Sequence, residues 1–583
     1  MPETSEKSLT PTLSVAGQIR PEEVAELAAR GFRALINNRP DGESPDQPSS
    51  DEIEAAAREA GLEYVHQPVV SGQVTDEDVA RFHEWLNRQQ GPVFAFCRTG
   101  TRCTHLWALG RAGDTDPEEL ISTAGQAGYD ISGLRDRLEA RAAPAVSGDH
   151  QARQGEASAH HEVVIVGAGA AGCAVAASLL RRRPELDIAI IEPDENHYYQ
   201  PGWTLVGGGI FHQRQTQWDT GSCIPAGVNW IRAAAEAFEP ESRKVVLDDG
   251  RRLGYQALVV CPGLELHWEA IDGLPETLGR NGVTSNYRFD LAPYTWELVQ
   301  RMENGRALFT QPPMPIKCAG APQKAMYLAC DHWRRRGVLD RIQVDFCTAG
   351  AVLFGVEDFV PPLMEYVRRY NAHLNFQHRL VAVDGPAGKA WFEVTDEQGE
   401  TRTEERDFDM LHAVPPQRAP AFVRNSPLAN EDGWVAVSPR TLRHPHFGNV
   451  FSLGDVCGAP NAKTAAAVRK QAPVVAENLL RELAGERPVA AYDGYGSCPL
   501  IVARGKVVLA EFGYGGKLLP TFPLDPTRPS WLAWKLKASW MPAIYSRLML
   551  RGHEWLARPG ELDEESAAQE VEPACDYTAP GGD

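Results

Sequence analysis

Three cysteines in this 583-residue chain stand where a thiol could react. Cys318 lies in RALFTQPPMPIKCAGAPQKAMYL (306–328), after an apolar strand and a proline-rich turn, just before a helix start, with Lys317 beside it. A neighbouring ammonium and a helix N-terminus both favour the thiolate, the form that attacks sulfur and passes on an electron pair. One thiol closes no redox cycle alone. Its best partner is Cys498 in AYDGYGSCPL, which reads as a Gly and Pro turn. Cys97 is delivered by the strand PVFAF into CRTGTRC, followed by a helical THLWALGRAG. A cysteine at that point gains a stabilised thiolate and an anion cradle of backbone N–H groups. The chain has eleven cysteines, an odd and scattered set that does not resemble a disulfide framework. Cys173, Cys330, Cys347 and Cys457 read as packing residues, and Cys261, at the end of the strand in VVCPGLEL, receives no catalytic role.

HEVVIVGAGAAGCAVAASLLRRR carries a second kind of chemistry. Gly167, Gly169 and Gly172, with Ala170 and Ala171 between them, follow an apolar strand and open a helix, so a pyrophosphate can approach the helix N-terminus. The next strand, DIAIIEP, ends in Glu192, 20 residues beyond Gly172, where a carboxylate can accept hydrogen bonds from ribose hydroxyls. Far downstream, NVFSLGDVCGAP supplies a strand-Gly-Asp element at Gly454 and Asp455, and NAKTAAAVRKQ opens a helix at Lys463 and Thr464. Paired elements suit a ligand with two ends, so FAD is favoured over NAD. An NAD(P)H-oxidising flavoenzyme of two nucleotide-binding halves needs a second G-x-G-x-x-G. RALFTQP is followed instead by PMPIKCAGAP, which points to a donor other than nicotinamide.

These residues need a scaffold. The length fits three or four domains. Alternating helix and strand patterns over residues 10–140 predict a small α/β domain. AAPAVSGDHQARQGEASAHH (142–161) reads as a linker. The expected division is 9–141 for the first domain and 162–520 for an α/β flavoprotein with two Rossmann-like halves. The FAD half comprises 162–290 and 410–490, and the second half is about 291–409. Amphipathic helices at 521–560 and a disordered tail at 561–583 complete the expectation. The net charge of -20 argues against nucleic-acid binding. No signal peptide, spanning helix, metal site or internal repeat is evident.

Several segments together resemble the sulfide:quinone oxidoreductases, particularly the type nearest the mitochondrial enzyme: HYYQPGWTLVGGG (197–209), PIKCAGAPQKAMYL, LFGVEDF, MLHAVPPQ, KTAAAV and YDGYGSCPLIVARGKVVLAEF. The likeness covers about residues 161–557. It implies that Cys318 and Cys498 are a redox-active pair, bridged directly or through a sulfur atom. Sulfide would open the bridge to a persulfide on Cys498, and Cys318 would reduce the flavin, which quinone reoxidises. Glu192 and Gln200 would contact the ribose and flavin side, Asp455 the ribityl chain, and Lys463 the pyrimidine edge. Where this superfamily often has Ala-Thr-Gly, the chain has Cys261, Pro262 and Gly263. The implied partners are sulfide, a membrane quinone and a sulfur acceptor, either a small thiol or Cys97 itself, in a homo-oligomer.

Residues 9–138 resemble the phosphatase-like domain of beta-lactamase hydrolase-like proteins, through INNRPDGE and FCRTGTR. Four residues separate Cys97 from Arg102, a loop closer to rhodanese-like sulfurtransferases than to phosphotyrosine-type phosphatases, which have five. Sulfur transfer by Cys97 with Arg102 is expected, with phosphate-ester hydrolysis still open. Cys103 stands where the family commonly has serine, which leaves open a resolving thiol. Asp41 reads as a solvated turn residue rather than a general acid. Residues 525–558 hold four tryptophans and six basic against two acidic residues, in two short helical patterns separated by Pro542. With the family likeness, they predict a monotopic foot on the cytoplasmic side of a membrane. Rival readings are an NADH:quinone reductase and a redox-regulated cysteine phosphatase with a flavin sensor domain.

Overall fold

The computed structural model describes residues 6–138 and 159–563, apart from 11, 45–46, 71–73, 90, 113–114, 136, 461 and 524. The chain divides into two compact units, Met1–Gly155 and Glu156–Asp583. Most of the segment read as a linker, and the tail from residue 564, lie outside the described residues. The strand Ala159–Val166 begins three residues inside the span read as linker.

In the first unit a sheet runs in the order Lys7–Thr10, Leu13–Ala16, Val93–Phe96, Ala34–Asn37, Glu63–His66, parallel except for its first pair. ALIN and VFAF are buried along their whole length, which suits central strands covered on both faces. Alternation divides their side chains. Ala95 and Cys97 join a cluster with Phe82 and Leu106, while Phe94 and Phe96 join Ile53 and Leu35. The central strand therefore stops at Cys97, and Gly100, at φ 89°, turns the chain into the helix Thr101–Arg111.

The second unit holds one mixed sheet with a parallel centre, extended by the antiparallel strands Lys244–Leu247 and Ala235–Glu239, and one all-parallel sheet. One orders Asn229–Ile231, Ile188–Ile191, Ala159–Val166 and Arg252–Val260 in parallel, with Val450–Ser452 beside the end of the last. Helices Ala170–Arg182 and Ala465–Leu483 share its apolar cluster, through residues such as Val175 and Val475. The other sheet orders Val283–Thr284, Met410–His412, Gly305–Gln311, Ile342–Thr348 and His373–Asn375, all parallel. Val283–Thr284 and Met410–His412 thus belong to the second half, although the sequence reading gave them to the FAD half. The chain crosses between the halves on a two-stranded ribbon, Glu265–Leu266 with Gln417–Arg418. Both crossing segments are too short to carry a periodic signal.

Two C-terminal elements complete the second unit. The hairpin Gly496–Ala503 with Lys506–Phe512 sends alternate residues to opposite faces. Cys498, Leu500 and Val502 join a cluster with the helix Ala321–Arg336, whereas Ile501, Val507 and Leu509 pack on Ala533 and Leu536. The second element runs from Trp531 to Arg551, helical throughout with wide π-type turns at Leu536–Trp540 and Ile544–Leu548. Pro542 does not separate two helices as expected. It sits in the first turn after a wide turn, where its missing N–H is tolerated. Among the described residues no helix is long and apolar enough to cross a membrane.

Candidate active site

The glycine loop forms as its spacing requires. Gly167 has φ 103°, and a Cβ on it would meet the Cys261 carbonyl oxygen at 2.5 Å. A Cβ on Gly172 would fall 1.8 Å from the Gly167 carbonyl oxygen, so this glycine lets the helix sit against the loop. A Cβ on Gly169 would meet nothing within 4 Å. That side of the turn opens into a cavity of about 460 Å³, lined also by Gly167, Ala170, Ala171, Glu192 and Gln200. Glu192 accepts the N–H of Ala168 at 2.8 Å and of Asp194 at 3.0 Å, while burial pushes its carboxyl up.

The downstream element closes the same cavity. Gly454, Asp455, Lys463 and Thr464 line it. Thr464 caps the helix Ala465–Leu483 by accepting the Ala467 N–H. The Lys463 ammonium donates to the carbonyls of Asp455 (2.7 Å) and Cys457 (3.0 Å) and lies 3.8 Å from the centre of the Trp434 ring. Burial pushes the Asp455 carboxyl up, against the pull of Lys317 and Lys463. A loop open at Gly169, an acid at the next strand end and two helix N-termini facing one space fit FAD.

At the edge of this cavity the sulfurs of Cys318 and Cys498 stand 3.6 Å apart. Cys318 has φ 49°, in the left-handed region, and is held there by its N–H on the Lys463 carbonyl (2.9 Å) and its carbonyl on the Ala321 N–H (2.7 Å). Cys498 lies within a fully buried strand, not in the turn expected from its Gly and Pro neighbours. Pro499 is accommodated because the hairpin has only two strands. Gly320 makes the approach possible, since a Cβ there would lie 2.5 Å from the Cys498 sulfur.

Cations surround the pair. The Lys324 ammonium is 3.1 Å from the Cys318 sulfur and 3.8 Å from that of Cys498. The hydrogen bond from Cys498, together with Lys324, holds the Cys318 thiol well below the ordinary range. The same bond, with burial, pushes Cys498 up. Burial opposes the charge on Lys324, but the two sulfurs outweigh it and raise this ammonium above its ordinary value. Lys537 donates to the Pro201 carbonyl at 3.0 Å, and burial together with Lys324 lowers it to about 7. Lys317 donates to Gln200 at 2.6 Å and is lowered to about 8 by burial. The Tyr287 hydroxyl donates to the Lys317 and Cys318 carbonyls.

Lys324 and Lys537 were not singled out from the sequence. Lys324 is 3% exposed on a helix whose buried residues are mostly apolar, and a lysine six residues after a candidate thiol was the available signal. Lys537, also 3% exposed, sits among residues read as a membrane-facing helix.

In the first unit the Gly100 N–H points at the Cys97 sulfur at 3.2 Å. Cys103 and the backbone N–H groups of Thr99, Cys103 and Arg102 lower the Cys97 thiol to about 5, against burial, and the same pairing and burial raise Cys103. The Arg102 guanidinium is held through its two terminal nitrogens. It donates to Glu43 at 2.7 Å and to the carbonyls of Val69 (2.6 Å) and Asn38 (3.4 Å), which anchors neighbouring loops. Asp41 accepts the Ser50 N–H at a helix start.

Residues 6–114 match the phosphatase-like domain of beta-lactamase hydrolase-like proteins, and residues 161–295 match the pyridine nucleotide-disulphide oxidoreductase family. A Xylella fastidiosa beta-lactamase hydrolase-like protein is 37% identical over 140 residues, 23% of this chain and 32% of that protein. The second unit shares its fold with the crystal structure of the sulfide:quinone oxidoreductase from Aquifex aeolicus, at a TM-score of 0.56 and 19% identity, covering 68% of this chain and 92% of that one. The mitochondrial sulfide:quinone oxidoreductase of Dictyostelium discoideum is 40% identical over 400 residues, 68% of this chain and 87% of the relative. The chain therefore belongs to the sulfide:quinone oxidoreductase family, with a phosphatase-like domain at its N-terminus.

Proposed function

We propose that this chain oxidises sulfide, leaves the sulfur as a persulfide on Cys498, and delivers the electron pair to a membrane quinone. The observation that carries this reading is the Cys318 and Cys498 pair, set beside Lys324 at the edge of a cavity that fits FAD. The 3.6 Å separation exceeds a disulfide bond of about 2.05 Å, and one bridging sulfur would span about 3.3 Å with ordinary S–S geometry. Either bridge needs only a small movement.

The asymmetry of the pair sets the direction of attack. A thiol of lower pKa is the better leaving group in thiol–disulfide exchange. Hydrosulfide therefore attacks the sulfur on Cys498. A new S–S bond forms there, the bond toward Cys318 breaks, and Cys318 leaves as a thiolate that Lys324 stabilises. When bound, FAD supplies the two-electron carrier between the thiols and the quinone. An acceptor thiolate then takes the outer sulfur from Cys498, which itself leaves as a thiolate. Lys324 and Lys537 attract the anionic substrate, and Tyr287 fixes the Cys318 backbone.

Cys97 is proposed as an acceptor on the same chain. Its thiolate and ring of N–H donors are what sulfur transfer needs, and a tethered acceptor gains effective concentration. Exposed Trp531, Leu532, Trp540, Trp555 and Leu556 support peripheral attachment to a membrane, with the cytoplasmic face as the proposed side.

Anaerobic mixing of the holoenzyme with sulfide, and separately with NADH, tests the reading. Sulfide should bleach the flavin band and NADH should not. Bleaching by NADH alone would overturn it in favour of an NADH:quinone reductase.

A further inference from the structure

The helical segment Trp531–Arg551 exposes Trp531 and Trp540 but buries Ala533, Leu536, Tyr545 and Met549. Among the buried residues Tyr545, 4% exposed in the second wide turn, carries a polar group inward. Its hydroxyl lies 2.7 Å from His197 Nε2, and His197 Nδ1 lies 3.1 Å from the Ala168 carbonyl oxygen. A carbonyl can only accept, so Nδ1 carries the proton, and Nε2 of the neutral ring accepts from the tyrosine. Burial lowers the pKa of this ring, against the Ala168 bond, and so favours the neutral form. Ala168 stands between Gly167 and Gly169, and its N–H is already bonded to Glu192. Both backbone groups of Ala168 are therefore fixed, one by the next strand end and one by the C-terminal segment.

The far end of the segment is anchored on the helix that this loop opens, Ala170–Arg182. Arg182 donates to both carboxylate oxygens of Glu554, the longer bond at 3.0 Å, and Ser178 donates to the same carboxylate. Gly552 has φ 67°, and a Cβ on it would fall 2.6 Å from the Ala177 carbonyl oxygen, so the chain lies directly against the helix. Arg469, on the helix Ala465–Leu483, donates to the Trp555 carbonyl at 2.8 Å. Met541, Ile544, Tyr545 and Met549 line the FAD cavity beside Ala170 and Ala171. One wall of the cavity is thus tied to the loop that forms another. Packing alone does not require the tyrosine. Its ring lies 4.9 Å from that of Tyr199 and 5.9 Å from that of Trp218, contacts a phenylalanine would keep.

We propose that the C-terminal helical segment is a clasp that retains FAD, with Tyr545 and His197 as the residues that position the dinucleotide loop. The Ala168 carbonyl and the Gly169 N–H share one planar trans peptide, so fixing the first fixes the second. Gly169 is where the turn opens to the cavity, and its N–H is among the donors a pyrophosphate needs there. The clasp rests on FAD as the ligand of this cavity and names what keeps it in place.

The rate of FAD release from the full-length holoenzyme, read as free-flavin fluorescence after dilution, tests it. Tyr545→Phe keeps the ring and should speed release about tenfold, as expected for one buried hydrogen bond. His197→Leu should do the same, and the double variant should also stay near tenfold, because both changes break one chain of bonds. Glu554→Gln, at the anchor outside the cavity, should speed release about threefold, while the FAD-loaded fraction is bleached by sulfide within about twofold of the parent. The rise in melting temperature given by excess FAD should shrink in Tyr545→Phe. An unchanged rise, with a lower midpoint throughout, would mark the hydroxyl as merely structural and overturn the proposal. Parent-like release in Tyr545→Phe, or a hundredfold effect in the double variant, would overturn it as well. A parent protein that binds no FAD would instead overturn the cofactor reading beneath it.

Discussion

The Lys324 ammonium touches the Cys318 sulfur at 3.1 Å and the Cys498 sulfur at 3.8 Å, so one buried cation serves two thiols brought together from 180 residues apart. Removing that charge leaves the Cys318 thiolate in a buried setting with less compensation. Lys324→Met should raise the pH at which Cys318 ionises by about one to two units, because an adjacent opposite charge shifts a pKa by roughly that amount. The measurement is the pH dependence of flavin bleaching by sulfide. The group is an acid held low by its surroundings, so its thiolate is lost as pH falls. The variant should lose activity at a higher pH than the parent.

Cys318→Ser and Cys498→Ser should each retain FAD yet lose bleaching by sulfide by about 1000-fold or more, as expected when a nucleophilic or leaving sulfur is removed. Stopped-flow absorbance reads both quantities. An unchanged rate in either variant would remove the pair from the mechanism.

Gly320→Ala tests the packing beneath the chemistry. The new Cβ would lie 2.5 Å from the Cys498 sulfur and 2.3 Å from Leu500 Cδ2, both on a buried strand. Overpacking of this kind costs about 1–3 kcal/mol. Thermal denaturation should show a lower midpoint, with a larger proportional loss in the sulfide half-reaction than in flavin reoxidation.

Cys97 should titrate near pH 5, far below the ordinary thiol value of 9. Ultraviolet thiolate absorbance of the full chain, with Cys97→Ser subtracted, measures this. For stability the sign is that of a depressed acid. The contribution is fully present above the unfolded thiol value and is lost as pH falls through about 5. Cys97→Ser should therefore narrow the stability difference between pH 9 and pH 5.

Trp531 and Trp540 are exposed at 59% and 52%. Replacing both with Ser should weaken binding to phospholipid vesicles about tenfold or more, given about 25 cal/mol for each Å² of apolar surface withdrawn from water. Sulfide-driven bleaching should be unaffected. Co-sedimentation with vesicles is the test, and undiminished binding would remove the helical segment from membrane attachment.

The parts of the site that depend on local backbone were legible in the sequence. Gly167, Gly169, Gly172 and Glu192 follow from what one turn and one strand end demand, and the structure holds Gly454 and Asp455 against the same cavity. The parts that depend on long-range packing were not. Pro499 suggested a turn because its lost N–H seemed to exclude a strand, yet a two-stranded hairpin has a free edge. Pro542 suggested a break that the wide helical turns absorb. Lys537 belongs to the site only because its helix folds back toward Pro201, 336 residues away in sequence. Arg102 had the right spacing for catalysis, but its ion pair with Glu43, on another loop, could not be read from that spacing.

The two faces of the hairpin also have a protective consequence. Thiolates and persulfides add readily to electrophilic ring carbons, so a Cys498 sulfur open to a quinone would be consumed by addition to its ring. Strand alternation puts Cys498 and Ser497 on opposite sides of one backbone, with Ala510 and Glu511 behind them. A single β-ribbon thereby turns the Cys498 sulfur away from the face of the hairpin that lines the cavity.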